Sequence, residues 1–113
     1  MVSRGRPPGV AGELERQLQA DVLELAAWLD IMAYHTHDSR RSQSGWPDLA
    51  LCGRGGLRLR ELKRAGQDPT DAQAAWGARL TEAGENWGVW RPADWQSGLI
   101  KRELEAIRWP LPS

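Results

Sequence analysis

The chain has 113 residues, enough for one hydrophobic core and too few for two domains of ordinary size. Its 41% hydrophobic and 27% charged residues are the balance of a soluble globular protein, and no apolar run approaches the roughly 18 residues that a membrane span requires. A formal net charge of zero argues against coating nucleic acid by bulk electrostatics. The single cysteine, Cys52, excludes an intrachain disulfide and a thiolate zinc cluster, and reads as a small buried apolar side chain.

In chain order, "MVSRGRPPGV" carries two arginines, two prolines and two glycines without periodicity, so residues 1 to 12 are expected to be a mobile arm and residues 13 to 113 one domain. The polar stretch "AGELERQLQA" stands where a signal peptide would carry its apolar region, which makes a cytoplasmic location the expectation. From Gly12 onward Leu14, Leu18, Val22, Leu25 and Leu29 recur at three or four residues, and a helix over about 13 to 29 follows. Glu15 and Gln19 lie four apart and project together beside that stripe, so Glu15 can look into a cleft at the edge of the core. A solvated surface glutamate is the ordinary alternative.

"IMAYH" reads as a short strand and "THDSRRSQSG" as a polar connection. Leu49 to Cys52 form a second strand. "GRGG" is a turn whose glycines can take positive φ, and Leu57 to Lys63 form a third strand. In that strand the two-residue period places Leu57, Leu59, Glu61 and Lys63 on one face and Arg58, Arg60 and Leu62 on the other. "RAGQDP" is a loop, and Thr70 with Gln73 makes the capping box of a helix that runs to a stop at Gly84. "WGVWRP" is a fourth strand ended by Pro92. One last helix, capped by Asp94, turns Trp95, Leu99, Ile100, Leu104 and Ile107 to the core. The order α-β-β-β-α-β-α implies an α/β or α+β fold, a sheet with helices packed on it.

Charge is unevenly spread along this order. Residues 11 to 38 hold six acids against Arg16, whereas residues 40 to 64 hold seven bases against Asp48 and Glu61. A basic segment of this kind can meet phosphates, although charge runs are more often solvated faces. Lysine is rare, two against thirteen arginines, and one of the two is Lys63.

The second and third strands offer a hydrolytic constellation. A phosphodiester hydrolase needs carboxylate oxygens to hold a hard cation, a water made nucleophilic, and positive charge near the transition state. Asp48 and Glu61 come from adjacent strands of one hairpin and can converge on one ion. The main-chain carbonyl of Leu62 offers a third oxygen. Lys63 is placed to orient or deprotonate the attacking water and to stabilise developing charge. By itself an aspartate followed by Glu-x-Lys is a weak pattern.

The text around it is more specific. From the histidine of "YHTHDSRRSQSGWPDL" through "ELK", the "DAQ" helix start and "RPADW", the sequence resembles the VRR-NUC domain of the PD-(D/E)XK nuclease superfamily. "ERQLQADVLEL" extends the likeness back into the first helix, so that it covers roughly residues 13 to 105. The resemblance implies a restriction-endonuclease-like core and a nuclease dependent on Mg²⁺, with Mn²⁺ able to substitute. It places the metal-binding aspartate on Asp48, the second acid on Glu61, the lysine on Lys63 and the glutamine of the following helix on Gln73, which also belongs to the capping box. The first-helix acid falls on Glu15, as a metal ligand or a holder of water, with Glu13 close enough to be an alternative.

Compact phage and bacterial members of the family suggest a homodimer acting on branched DNA such as four-way junctions, in the host cytoplasm if the chain is phage-encoded. Flap, single-stranded or RNA substrates, and a non-catalytic DNA- or protein-binding module on the same fold, are the rival readings. The resemblance raises His35 as an active-site or phosphate contact and leaves His37 unassigned. Neither histidine has the partners of a zinc motif. Ser39, Arg40 and Arg41 form a basic loop before Asp48 and are read as DNA contacts. Trp76, Trp87 and Trp90 are read as core or interface.

Overall fold

The computed structural model describes residues 10–36 and 43–112. The chain runs α1 (Val10–Trp28), β1 (Met32–His35), β2 (Leu49–Gly53), β3 (Gly56–Leu62), α2 (Asp71–Glu82), β4 (Trp87–Trp90), α3 (Pro92–Gln96) and α4 (Leu99–Arg108). Four strands form one sheet in the order β1-β2-β3-β4. The first three are antiparallel neighbours and β4 is parallel to β3. A parallel pair needs a crossover, and α2 supplies it.

Strand alternation sorts the side chains into two layers. Leu49 and Leu51 of β2, Leu62 of β3 and Trp90 of β4 share the face that meets α1 and α4, where Leu18, Val22, Ala26, Ile100, Leu104 and Ile107 complete the core. Leu59, Glu61, Trp87 and Val89 occupy the opposite face, and Trp87 lies against Gly77 of α2. The end of β3 is therefore covered on both sides, which explains why Leu59, Arg60, Glu61, Leu62 and Lys63 are all buried.

Helix α1 begins at Val10, upstream of the expected residue 13, because no breaker separates Val10 from the apolar stripe and Gly12 is tolerated inside the helix. Residues 1–9 of the expected arm lie outside the described residues. The stripe also starts later than the periodicity suggests: Leu14 is exposed and Leu18 is the first buried leucine. The helix ends in a Schellman arrangement. Asp30 takes a left-handed φ of 58°, Ile31 N–H donates to Ala26 O at 2.8 Å and Asp30 N–H to Ala27 O at 3.2 Å, so that Ile31 drops into the core.

Four local expectations are corrected. The last helix is two helices, because Gly98 at φ 84° turns the chain between α3 and α4. Asp94 is the third residue of α3 and not its cap: Arg91 is the cap residue, and its N–H donates to Asp94 Oδ2 at 2.8 Å. The glycines of "GRGG" do not supply positive φ. They permit close approach to the end of α4: a Cβ on Gly53 would stand 2.0 Å from Ile107 O, and Gly55 N–H donates to that same oxygen at 2.8 Å. Cys52, expected to be buried, is exposed, since Leu49 and Leu51 take the core face and alternation turns Cys52 outward opposite exposed Met32.

Candidate active site

The β2–β3 register pairs Leu49 with Arg60, so one further step sets Asp48 opposite Glu61 at the end of the hairpin. Buried Pro47 precedes Asp48 and fixes its approach, and Asp48 O accepts from Thr36 N–H at 3.0 Å. The Asp48 carboxylate accepts from the Leu62 N–H at 2.8 Å, which ties its side chain across to β3. Lys63 N–H donates to Trp90 O at 3.0 Å, so the parallel partner β4 holds the position of the lysine.

Glu61 is wholly buried. Its Oε1 accepts from Gln73 Nε2 at 3.3 Å, while its Oε2 is buried and meets no donor. Burial pushes the Glu61 carboxyl up to about 8, with further upward pressure from the Asp48 side chain, against the opposing pulls of Lys63 and of the Asp48 main chain. Two carboxyls facing each other with one lone pair unsatisfied make a site that gains from a cation.

Gln73 serves two elements at once. Its Oε1 accepts from Thr70 N–H at 2.8 Å and its N–H donates to Thr70 Oγ1 at 3.2 Å, completing the capping box of α2. That leaves the amide nitrogen directed at Glu61. The cap and the site contact, read from the sequence as compatible, are made by the same side chain.

Helix α1 supplies the other wall. Glu15, Arg16 and Gln19 line a cleft of about 100 Å³ together with Asp48 and Leu62. Burial raises the Glu15 carboxyl; Lys63 and Arg64 pull it down and Asp48 pushes it up, which places all three charges within reach of it. Glu15 thus faces the site, whereas the side chain of Glu13 lies outside the described residues. Arg16 was not singled out by sequence. Its signal is the three-residue interval to Gln19, which puts both on the helix face that carries Glu15.

His35 ends β1 opposite Leu49, half-buried on the core side of the sheet, and it is not among the residues lining the cleft. His37, Ser39, Arg40 and Arg41 lie outside the described residues. Among the described residues, the bases of the segment that surrounds the hairpin do not form one surface. Arg60 is buried and donates to Glu103 Oε1 at 2.7 Å and to Asn86 Oδ1 at 2.7 Å, under the ring of Trp90, and Arg54 pairs with Asp30.

The donor set fits a hard divalent cation: two carboxylates in apposition, one with a buried unsatisfied oxygen, beside the main chain of Leu62. Among the described residues no three or more His, Cys, Asp or Glu side chains gather closely enough to hold a metal between them. An ion here would draw its remaining ligands from water or substrate oxygens, as Mg²⁺ commonly does. No described helix is long and apolar enough to cross a membrane.

No protein-family model matches the chain, and no curated protein matches it. A solved structure described as a VRR_NUC domain protein is similar, with a TM-score of 0.59 and 20% sequence identity, over 81% of this chain and 88% of that chain. The mixed four-stranded sheet with its flanking helices is thus the α+β fold of a VRR_NUC domain protein.

Proposed function

We propose that the chain is a VRR-NUC-type, divalent-metal-dependent DNA endonuclease. The observation that carries this reading is the apposition of Asp48 and Glu61 across the hairpin, with Glu61 Oε2 buried and unsatisfied and Lys63 beside it. Mg²⁺, or Mn²⁺ in its place, would be held by Asp48, Glu61 and the Leu62 carbonyl. It would supply the positive charge that polarises a phosphodiester and activates water.

The chain's own residues do the rest. Gln73 orients Glu61 from the start of α2, and the Leu62 N–H orients Asp48. Lys63 presents an ammonium to the attacking water and to the developing charge on phosphorus, in a site dry enough for that charge to count. Glu15, across the cleft, holds water or a second ion. Arg16 and exposed Arg64 flank the acids and offset the repulsion that a polyanion would otherwise meet.

The substrate is branched DNA, cut by a homodimer. Support for the dimer comes from apolar side chains left outside the core, Trp28 at 81%, Met32 at 79% and Tyr34 at 57% exposure, the last two on the edge strand β1. Two related active sites suit paired incisions in a junction. The test is cleavage of labelled junction, flap, duplex and single-stranded substrates by the wild type and by Lys63→Ala, with Mg²⁺, with Mn²⁺ and with chelator. The expected result is metal-dependent cleavage, reduced at least 100-fold in the variant. A wild type that cuts nothing, or a variant that cuts equally well, leaves a binding module in place of an enzyme.

A further inference from the structure

Most tryptophans of this chain have a packing role. Trp90 is in the core, Trp87 lies against Gly77, Trp95 packs on the core, and Trp109 sits beneath the guanidinium groups of Arg54 and Arg108. Trp46 and Trp76 differ. Their rings meet edge to face at 5.0 Å between centroids and 90° between planes, both half-buried, outside the core cluster.

Their placement is tied to the carboxylates from two directions. Trp46 precedes Asp48 by two residues. Gly45, at φ 88°, packs so tightly on the first turn of α2 that a Cβ there would stand 2.4 Å from Ala72 O, which locks the Trp46 loop to the helix. Trp76 follows Gln73 by three residues, about 4.5 Å along the helix axis and on the same side of it. Beside the pair, Trp76, Ala75 and Arg79 line an open pocket of about 220 Å³. Arg79 is 80% exposed and its ion pair to Glu82 is a 3.7 Å surface contact, so the guanidinium is available to a ligand.

An aromatic ring with an open flank, a small neighbour that leaves room, and a cation one turn on is the chemistry that holds a base and its phosphate in a single strand. A paired base keeps its faces inside the duplex stack and presents none to a ring. Resting on the nuclease reading above, we propose that Trp76, braced by Trp46 and assisted by Arg79, stacks an unpaired nucleobase beside the phosphodiester that a cation at Asp48 and Glu61 would meet. Among branched DNAs, the preferred substrate then exposes unpaired bases beside the cut.

The test is binding in chelator, which separates stacking from cleavage. Fluorescence anisotropy of labelled single-stranded DNA, single-stranded RNA and duplex of equal length is measured for the wild type, Trp76→Leu, Arg79→Gln and, as an exposed control downstream of α4, Leu111→Ala, with thermal melts to verify folding. Stacking contributes about 1–3 kcal/mol per base, so Trp76→Leu should weaken single-strand binding about 5- to 150-fold. That loss should exceed the duplex loss at least fivefold. Arg79→Gln, at an exposed position that folding does not depend on, should lower single-strand affinity severalfold and flatten its salt dependence, and the DNA and RNA arms show whether the sugar matters. Equal losses on single strand and duplex, no loss in folded Trp76→Leu or in Arg79→Gln, or no single-strand binding by the wild type would each overturn the proposal. Failure of metal-dependent cleavage with these differences intact would instead overturn the nuclease reading alone.

Discussion

Gln73 donates from its amide nitrogen to Glu61 at 3.3 Å while its amide oxygen caps α2 through the Thr70 N–H at 2.8 Å. One side chain therefore couples the start of a helix to a buried carboxylate on the central strand. The coupling separates two effects that mutation can tell apart. Thr70→Ala removes only the cap, costing about 1 kcal/mol, and cleavage should stay within a few-fold of wild type. Gln73→Ala should cost a similar amount of stability and lower cleavage more than tenfold. Chemical denaturation and single-turnover kinetics on the two variants measure the difference.

The raised Glu61 carboxyl sets a pH dependence. Its folded value of about 8 lies above the ordinary glutamate value of 4.5, so the folded state binds this proton more tightly than the unfolded chain. The stability it contributes is complete below about 4.5 and is lost as pH rises towards 8, with no further loss above. A cation needs the deprotonated carboxylate, so Mg²⁺ should raise the melting temperature more at pH 8.5 than at pH 5.5. Melting curves across that range, with Mg²⁺ and with chelator, measure both slopes.

Glu61→Gln keeps the shape and the contact with Gln73 while removing the charge that burial opposes. In chelator at pH 8.5 the variant should melt higher than the wild type, and at pH 5.5 the two should converge. Its metal-dependent cleavage should fall at least 100-fold. Gain of stability with loss of activity in one substitution is the signature of a carboxylate kept for chemistry.

Gly77→Ala tests packing against propensity. Inside a helix this change ordinarily stabilises by about 1 kcal/mol. Here the new Cβ would stand 2.6 Å from the Trp87 ring, so overpacking should win and destabilise by about 1–3 kcal/mol. Urea denaturation decides the sign.

Glu103→Ala removes the carboxylate that Arg60 meets at 2.7 Å and that Trp90 Nε1 meets at 3.2 Å. It leaves a buried guanidinium with Asn86 and main-chain oxygens as its remaining partners. Breaking such a pair costs about 3 kcal/mol or more, which for a chain of this size lowers the melting temperature by roughly 10 °C. Calorimetry checks it.

Hydrophobic periodicity and turn residues determined the element order up to β4, the two faces of β3 and the capping box of α2, because these depend on neighbours within a few residues. The convergence of Asp48 on Glu61 was also legible, since a hairpin register follows from its turn. Tertiary structure decided what local pattern cannot encode. Gly98 splits the last helix although the apolar spacing runs on through it, and the turn glycines answer to Ile107, about fifty residues away in sequence. Arg60 reads as part of a basic segment until α4 brings Glu103 to it. Trp46 and Trp76 are thirty positions apart and become a pair only when the loop before β2 docks on α2. Residue types and short spacings state which groups are available, whereas burial and the meeting of distant segments decide which are spent on packing and which are left for a ligand.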